Sequence, residues 1–144
     1  MNTAIVNQSY LFVKWLYREF LPSGYRDLQI DLAMELKNTC ISRGLHFQFT
    51  DQELEVIALA ALFHNCGCIE GQDEDRKASL LIARNFLQEQ KYQPVKIKKV
   101  LSCIQATREG AAAHSRIEKL IQRVRNQDGS LRLSCREEVG DIWP

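Results

Sequence analysis

Apolar residues recur along most of this chain at the spacing of a helix rather than that of a strand. The pattern is clearest over residues 25 to 43, where Leu28, Leu32, Leu36 and Cys40 stand four positions apart and therefore share one helical face. The fold class is predicted as all-α, a compact single-domain bundle of about six helices. The other predicted helices cover residues 3 to 20, a segment that begins at about 50, and residues 73 to 90, 94 to 107 and 115 to 128.

Residues at the ends of these segments indicate where the helices begin and end. The segments 50–53 (T-x-x-E) and 115–118 (S-x-x-E) match the capping box, in which two side chains and two backbone N–H groups bond reciprocally at a helix start. Pro94 suits the first turn of a helix, where its missing N–H costs nothing. The segment 21–24 (LPSG) breaks the first helix, and Gly44 is predicted to end the second.

The helical pattern fills one domain, predicted to span residues 1 to 130, and residues 131 to 144 form a short tail. Leu131 and Leu133 alternate in this tail, so a small extended piece is one interpretation. Trp15 and Trp143 are expected to pack in the core and against the tail. With 45% apolar and 26% charged residues the composition is that of an ordinary globular domain. The net charge of +1 gives no global field, so neither nucleic acid nor a membrane is predicted as a partner.

The sequence predicts a cytoplasmic location. No apolar run approaches the roughly 20 residues that a membrane span needs. The N-terminus lacks the basic start and the small-residue cleavage site of a signal peptide. Cysteine is odd in number and scattered, which suits reduced thiols in a cytosol. The five cysteines are Cys40, Cys66, Cys68, Cys103 and Cys135.

The stretch ALFHNCGCIEG, residues 61 to 71, brings together residue types that carry chemistry. An apolar helix runs into His64 and Asn65, and Cys66 and Cys68 flank Gly67 in a turn. His64 either caps the carbonyl groups of its helix end or serves as a metal ligand. The two cysteines are either buried thiols or part of a zinc site, and a Cys–His nucleophile pair is a third interpretation. Gly67 is expected to supply the backbone freedom that the turn needs.

A framework of spaced residues runs through the middle of the chain. Residues 60–67 follow the pattern A-x-L-F-H-x-x-G, residues 79–87 follow S-x-x-I-A-x-x-F-L, and residues 97–107 follow I-x-x-V-x-x-x-I-x-A-T. Over roughly residues 20 to 130, this framework resembles the HD-domain family of metal-dependent phosphohydrolases. The resemblance implies an HD-domain-like helical fold, in which a His, a His-Asp pair and a distal Asp bind a divalent metal.

The ligands that the resemblance implies are largely replaced in this chain. Ile30 stands where the metal-binding histidine of the family's Y-H-N-x-x-H pattern belongs, and His64 with Asn65 takes the place of the His-Asp pair. Arg76 replaces a loop histidine, and Asp128 matches the distal aspartate. Isoleucine has no donor atom, asparagine is neutral and arginine repels a metal. No catalytic residue and no cofactor are therefore predicted; if a divalent metal binds at all, His64 and Asp128 are its expected ligands.

Arginines in the same region indicate what the altered pocket binds. The resemblance places Arg26 and Arg76 on the pocket wall and Arg108 near its mouth. Guanidinium groups bind phosphate bidentately without a metal. The competing interpretation pairs the arginines with Asp27 and with the acidic residues 73 to 75, which would fill the pocket. The predicted vestigial ligand-binding pocket consists of Arg26, His64, Asn65, Arg76, Arg108 and Asp128.

The function predicted from the sequence is that of a catalytically inactive HD-domain-like protein, a regulatory or binding module. Its expected partner is a nucleotide or another phosphorylated small molecule, or else a protein. One alternative is an active phosphohydrolase with a rearranged metal site on His64 and Asp128 with Asp73 or Asp75. A second alternative is a structural adaptor that forms a homodimer through the broad apolar face of the N-terminal helix.

Overall fold

The computed structural model describes residues 1–70 and 76–127 of the chain. Over those ranges the chain forms six α-helices and one short 3₁₀ helix, and no strand. The predicted all-α fold class is therefore confirmed. The helices are α1 (Thr3–Phe20), α2 (Ser23–His46), α3 (Asp51–Phe63), α4 (Arg76–Glu89), α5 (Pro94–Ala106) and α6 (Arg116–Gln127), with the 3₁₀ helix at Cys66–Glu70.

The predicted helix starts form by the expected local bonds. In the capping box of α3, the Glu53 N–H donates to Thr50 Oγ1 at 3.1 Å and the Thr50 N–H donates to Glu53 Oε1 at 2.9 Å. At the start of α6 the Glu118 N–H donates to Ser115 Oγ at 3.2 Å. Pro94 is the first residue of α5, where no backbone donor is lost.

The end of α2 corrects the prediction for Gly44. The helix does not stop there but continues to His46, and the positive φ after it belongs to Gln48, at 60°. Gly44 is instead a close-packing position, because a Cβ atom on it would lie 2.8 Å from Leu54 Cδ2 and 3.0 Å from Phe49 Cδ2. The glycine therefore lets α2 approach the start of α3.

The buried face of α2 also differs from the predicted one. Leu28 and Leu32 are only half-buried, whereas Gln29 and Ala33 are buried on the same side as Leu36. The core face is thus turned by about one residue at the N-terminal half of the helix. This rotation brings an amide side chain, Gln29, into the interior.

The helix α3 lies at the centre of the bundle. All ten residues from 54 to 63 are buried, and α3 packs against each of the other five α-helices. The residues that directly follow α3, including His64, are consequently enclosed by other helices. The expectation that Trp15 packs in the core is wrong, because its side chain is 52% exposed on the outer face of α1.

Several sequence predictions fall outside the described residues. They concern the acidic residues 73 to 75, the tail from 131 to 144 with Leu131 and Leu133, and the side chains of Cys135 and Trp143. Among the helices that the structure describes, none has both the length and the apolar character required to cross a membrane.

Candidate functional site

His64 lies directly after α3, with its ring inside the bundle. The residue is 5% exposed, and its Nδ1 atom lies 2.8 Å from the carbonyl oxygen of Ala61. Because a carbonyl can only accept, Nδ1 carries the proton and donates to the last turn of α3. One ring nitrogen thus satisfies a carbonyl group that the helix end would otherwise leave unpaired.

Asn65 connects the end of α3 to α2. Its Nδ2 donates to Gln29 Oε1 at 2.9 Å, and the two residues are 5% and 2% exposed. The Nε2 of Gln29 has no hydrogen-bond partner among the described residues. The residue of α2 that approaches Asn65 is therefore Gln29, whereas Ile30, which the resemblance aligns with a metal-binding histidine, lies in the apolar core.

The cavity beside these polar residues is very small. Its volume is about 10 Å³, and its polar lining comes from Gln29, His64, Asn65 and Arg125. A single water molecule needs about 10–15 Å³ of such space. Arg125, on α6, is 7% exposed and brings a positive charge to this interior that the sequence interpretation did not include. The arrangement can hold about one water, but it has no room for a phosphate group.

The other predicted pocket residues do not gather around His64 in the described part of the chain. Arg26 reaches the end of α1, where its Nη1 donates to the Arg18 carbonyl at 3.5 Å, and it does not line the cavity. Arg108 is exposed in the turn after α5. Arg76 is the first residue of α4, but its side chain lies outside the described residues, as does Asp128.

The turn after His64 is held by α4. The 3₁₀ helix Cys66–Glu70 buries its first three residues, and the Gly67 N–H donates to Ser79 Oγ at 2.8 Å. The φ angles that are positive in the described part belong to Gln48, Lys91 and Gly110, so the expected backbone freedom is not why glycine stands at Gly67. Its role in this structure is a buried bond between the turn and α4.

The four described cysteines are buried thiols. Cys40, Cys66, Cys68 and Cys103 form no disulfide bond with one another. Burial raises the pKa of the Cys40 thiol to about 12 and also raises that of Cys103, so both stay protonated at neutral pH. Within residues 1–70 and 76–127, no group of three His, Cys, Asp or Glu residues is placed to hold a metal ion.

A buried carboxylate at the other end of α3 was not found from the sequence. Glu55 is 3% exposed; it accepts from the Asn2 N–H at 2.7 Å, from Lys96 Nζ at 3.3 Å and from the Tyr92 hydroxyl. Burial by itself would raise the pKa of Glu55, but the bonds from Tyr92, Asn2 and Lys96 outweigh burial and lower the pKa. This cluster ties the N-terminus to α5 and to the loop before it.

The surface between α4 and α5 carries the largest of the described clefts and a second one beside it. Two open clefts of about 580 and 460 Å³ join at Arg84, Lys98 and Leu101. Basic side chains lie along the edges, and Leu81 and Leu101 belong to an apolar floor. We call this surface, which is bounded by Lys77, Arg84, Lys91 and Lys98, the α4–α5 groove.

Comparison of the chain with family models, with curated proteins and with solved structures finds no match. The resemblance to the HD-domain family therefore stays a prediction from the sequence framework.

Proposed function

We propose that this protein is a non-catalytic, HD-domain-like binding module that acts by contacting another protein. The observation that carries the proposal is the closed polar core beside His64, where a space of about 10 Å³ remains. A catalytic divalent metal needs three or more protein ligands and an open position for water or substrate. The Gln29–Asn65 bond ties these two amides to each other, and the His64–Ala61 bond fixes the orientation of the imidazole through Nδ1.

The same core argues against a phosphorylated ligand in the vestigial pocket. A phosphate group bound there would need guanidinium groups aimed into an open space. Arg26 is directed to the end of α1 instead, and the one buried arginine, among those described, that lines the cavity is Arg125. Binding is therefore assigned to the outer surface, where apolar and basic side chains are accessible.

The proposal is tested by the metal content and the hydrolytic activity of the purified full chain. Elemental analysis should find no stoichiometric transition metal. Hydrolysis of phosphomonoesters and nucleotides should stay at background with added Mn²⁺, Mg²⁺ or Fe²⁺. Asn65→Asp should not create activity, because Ile30 supplies no ligand and the core stays closed. Metal-dependent turnover by the unmodified chain that disappears in His64→Ala would contradict the proposal.

A structural adaptor is a second candidate, and the exposed aromatic surface of α1 favours it. Leu11, Trp15 and Phe20 are 61%, 52% and 55% exposed, and Phe12 stacks on Phe86 of α4 at 4.2 Å between ring centroids. Sedimentation of the wild type and of Trp15→Glu tests whether this surface joins two copies. A wild-type dimer that becomes a monomer in Trp15→Glu supports the adaptor. A wild-type protein that is a monomer at all concentrations rejects it.

The proposed location is the cytoplasm. The four described cysteines form no disulfide bond with one another. Buried cysteines without disulfide bonds are typical of proteins in a reducing compartment. Localisation of the tagged full chain by fluorescence microscopy checks this assignment.

A further inference from the structure

We propose that the α4–α5 groove binds an acidic amphipathic helix of a partner protein. This inference rests on the proposed function, because it names the class of partner that the binding module takes. It follows from the charge, the apolar floor and the shape of the groove.

The charge of the groove differs from that of the chain as a whole. The chain carries 19 basic and 18 acidic residues, which is close to balance. The residues that line the two clefts include Lys77, Arg84, Lys91 and Lys98, and none of the described lining residues is acidic. The groove therefore concentrates positive charge on a nearly neutral protein, and complementarity calls for an acidic occupant.

Most of this charge is not used inside the fold. Among the described residues, the side chains of Arg84, Lys91 and Lys98 take part in no salt bridge and no hydrogen bond. Lys96, by contrast, lies 3.3 Å from the carboxylate of Glu55. The fold pairs the lysine that faces its interior with a carboxylate, whereas Arg84, Lys91 and Lys98 stay available to meet other charges.

The floor of the groove is apolar and partly exposed. Leu81 is 48% exposed, Leu80 and Leu101 are half-buried, and Ile97 closes the floor between α4 and α5. Covering such side chains removes apolar surface from water, which favours a complex and offsets part of the cost of association. Charge alone would attract any anion, whereas this floor selects an occupant that also presents apolar side chains.

The shape favours a helix as the occupant. The helices α4 and α5 have 14 and 13 residues and are joined by residues 90 to 93, so they run side by side. At about 1.5 Å per residue the groove between them is about 20 Å long, which matches a helix of about 13 residues. An amphipathic helix presents an apolar stripe at i, i+3, i+4 and i+7 to such a groove. Acidic residues beside this stripe would face the basic edges on both walls.

Single-stranded nucleic acid fits this surface less well. Its binding sites combine basic residues with aromatic rings on which bases stack. Tyr92 is the one aromatic residue among those described that line the clefts, and its hydroxyl is bonded to Glu55 in the interior. The apolar part of the floor is aliphatic, and aliphatic side chains pack against a helix rather than stack with bases.

The test is fluorescence-anisotropy titration of the full chain with a labelled synthetic helix of about 14 residues, with leucines on one stripe and glutamates beside it. The comparison peptides carry lysine for every glutamate or the same residues in scrambled order. We expect the wild-type protein to bind the acidic peptide and neither of the comparison peptides. The affinity for the acidic peptide should be about tenfold weaker in Arg84→Glu/Lys98→Glu. Lys99→Glu, an exposed lysine on α5 outside the groove, is the matched control and should change the affinity less than about twofold. Higher salt should weaken binding.

Other results would overturn the inference without touching the proposed function. The first is that the acidic peptide does not bind, and the second is that the scrambled or the basic peptide binds equally well. The third is that an RNA 20-mer, ATP or anionic phospholipid vesicles bind more tightly than the acidic peptide and lose this binding in the same double variant. Failure of the proposed function has a separate signature, which is metal-dependent hydrolysis by the wild-type chain. The peptide titration and the hydrolysis assay therefore give independent answers.

Discussion

The interior around His64 and the α4–α5 groove both contain polar side chains beside apolar ones, but they differ in what these side chains do. Around His64, the amides of Gln29 and Asn65 bond to each other, the imidazole bonds to the end of α3, and about 10 Å³ of space remains. In the groove, Arg84, Lys91 and Lys98 have no partner among the described residues and lie beside leucines that are exposed or half-buried. The first region is closed, and the second is open.

This difference shows why residue types that carry chemistry do not by themselves make a functional site. Most buried polar groups are hydrogen-bonded, and an atom that is bonded inside the fold is less available to a ligand. A basic residue at the surface stays hydrated at little cost and keeps its charge for a partner. Mutations around His64 should therefore lower stability, whereas mutations in the α4–α5 groove should weaken binding and leave stability nearly unchanged.

The largest expected effect is on stability, from His64→Ala. The substitution removes a buried ring and the donor to the Ala61 carbonyl, and we expect it to lower the free energy of unfolding by about 2–4 kcal/mol. Chemical denaturation followed by circular dichroism measures the change. A loss below about 0.5 kcal/mol, the usual range of surface substitutions, would mean that the region is not the closed core described above.

The next effect concerns the bond between Gln29 and Asn65. Gln29→Leu should lower the free energy of unfolding by about 1–3 kcal/mol, because Asn65 loses its buried partner. The double variant Gln29→Leu/Asn65→Leu should cost less than the sum of the single variants, since it removes both members of the pair. Additive losses in this double-mutant cycle would show that the two amides do not depend on each other.

A smaller, pH-dependent effect should arise at the start of α3, where an ion pair replaces the neutral bonds found at its end. Both oxygens of the Glu53 carboxylate accept from the Arg116 guanidinium, which lowers the pKa of Glu53 to about 2. Because the folded-state pKa lies below the ordinary value, this stabilisation is complete above about pH 4.5 and is lost as the pH falls toward 2.

The matched variant is Glu53→Gln, which cannot ionise. Between about pH 4.5 and 2, the stability of the wild type should fall toward that of the variant. The effect is limited because solvent screens the exposed Arg116. Denaturation curves across this pH range measure it, and parallel pH profiles for the two proteins would count against the ion pair.

The smallest expected effect on stability belongs to the groove. Arg84→Ala/Lys98→Ala should change the free energy of unfolding by less than about 0.5 kcal/mol, because neither side chain has a partner within the described part of the fold. The same denaturation experiment measures it. A loss comparable to that of His64→Ala would show that the groove residues hold the fold together and are not reserved for a partner.

Much of the fold could be predicted from local sequence signals. The capping box at Thr50 and the proline that opens α5 act within one helical turn, and the structure forms both as expected. The prediction that α2 ends at Gly44 was wrong because glycine serves two purposes in helices. It allows a positive φ at a helix end, and it allows close approach between helices. The sequence alone does not say which of the two applies, since the distance to Leu54 and Phe49 depends on tertiary packing.

The candidate site could be predicted only in part. The HNCGC segment drew attention to the end of α3, but it did not reveal Gln29 or Arg125, which are distant in sequence. Gln29 stands four residues after Tyr25 and seven before Leu36, so the three residues share one face of α2. This spacing could have indicated that Gln29 faces inward. For Arg125 no local signal exists, because its burial depends on how α6 packs against α2 and α3.

The groove was missed for a different reason. Lys98 appears in the sequence as part of a solvated lysine run, and Arg84 as one more charge on an amphipathic helix. They become one surface only when α4 and α5 are placed side by side. Charge patterns along the chain therefore located neither the proposed binding surface nor its edges.

The most direct measurement is the free energy of unfolding of the full chain in EDTA and in excess Mn²⁺. A metal bound only by the folded state would raise this energy by about 2.7 kcal/mol at a concentration 100 times its dissociation constant. The closed core beside His64, with the positive charge of Arg125 on its wall, predicts the same value in both solutions. A rise with Mn²⁺ that is lost in His64→Gln would show that a metal site exists there, and it would contradict the assignment of this region to structure rather than to chemistry.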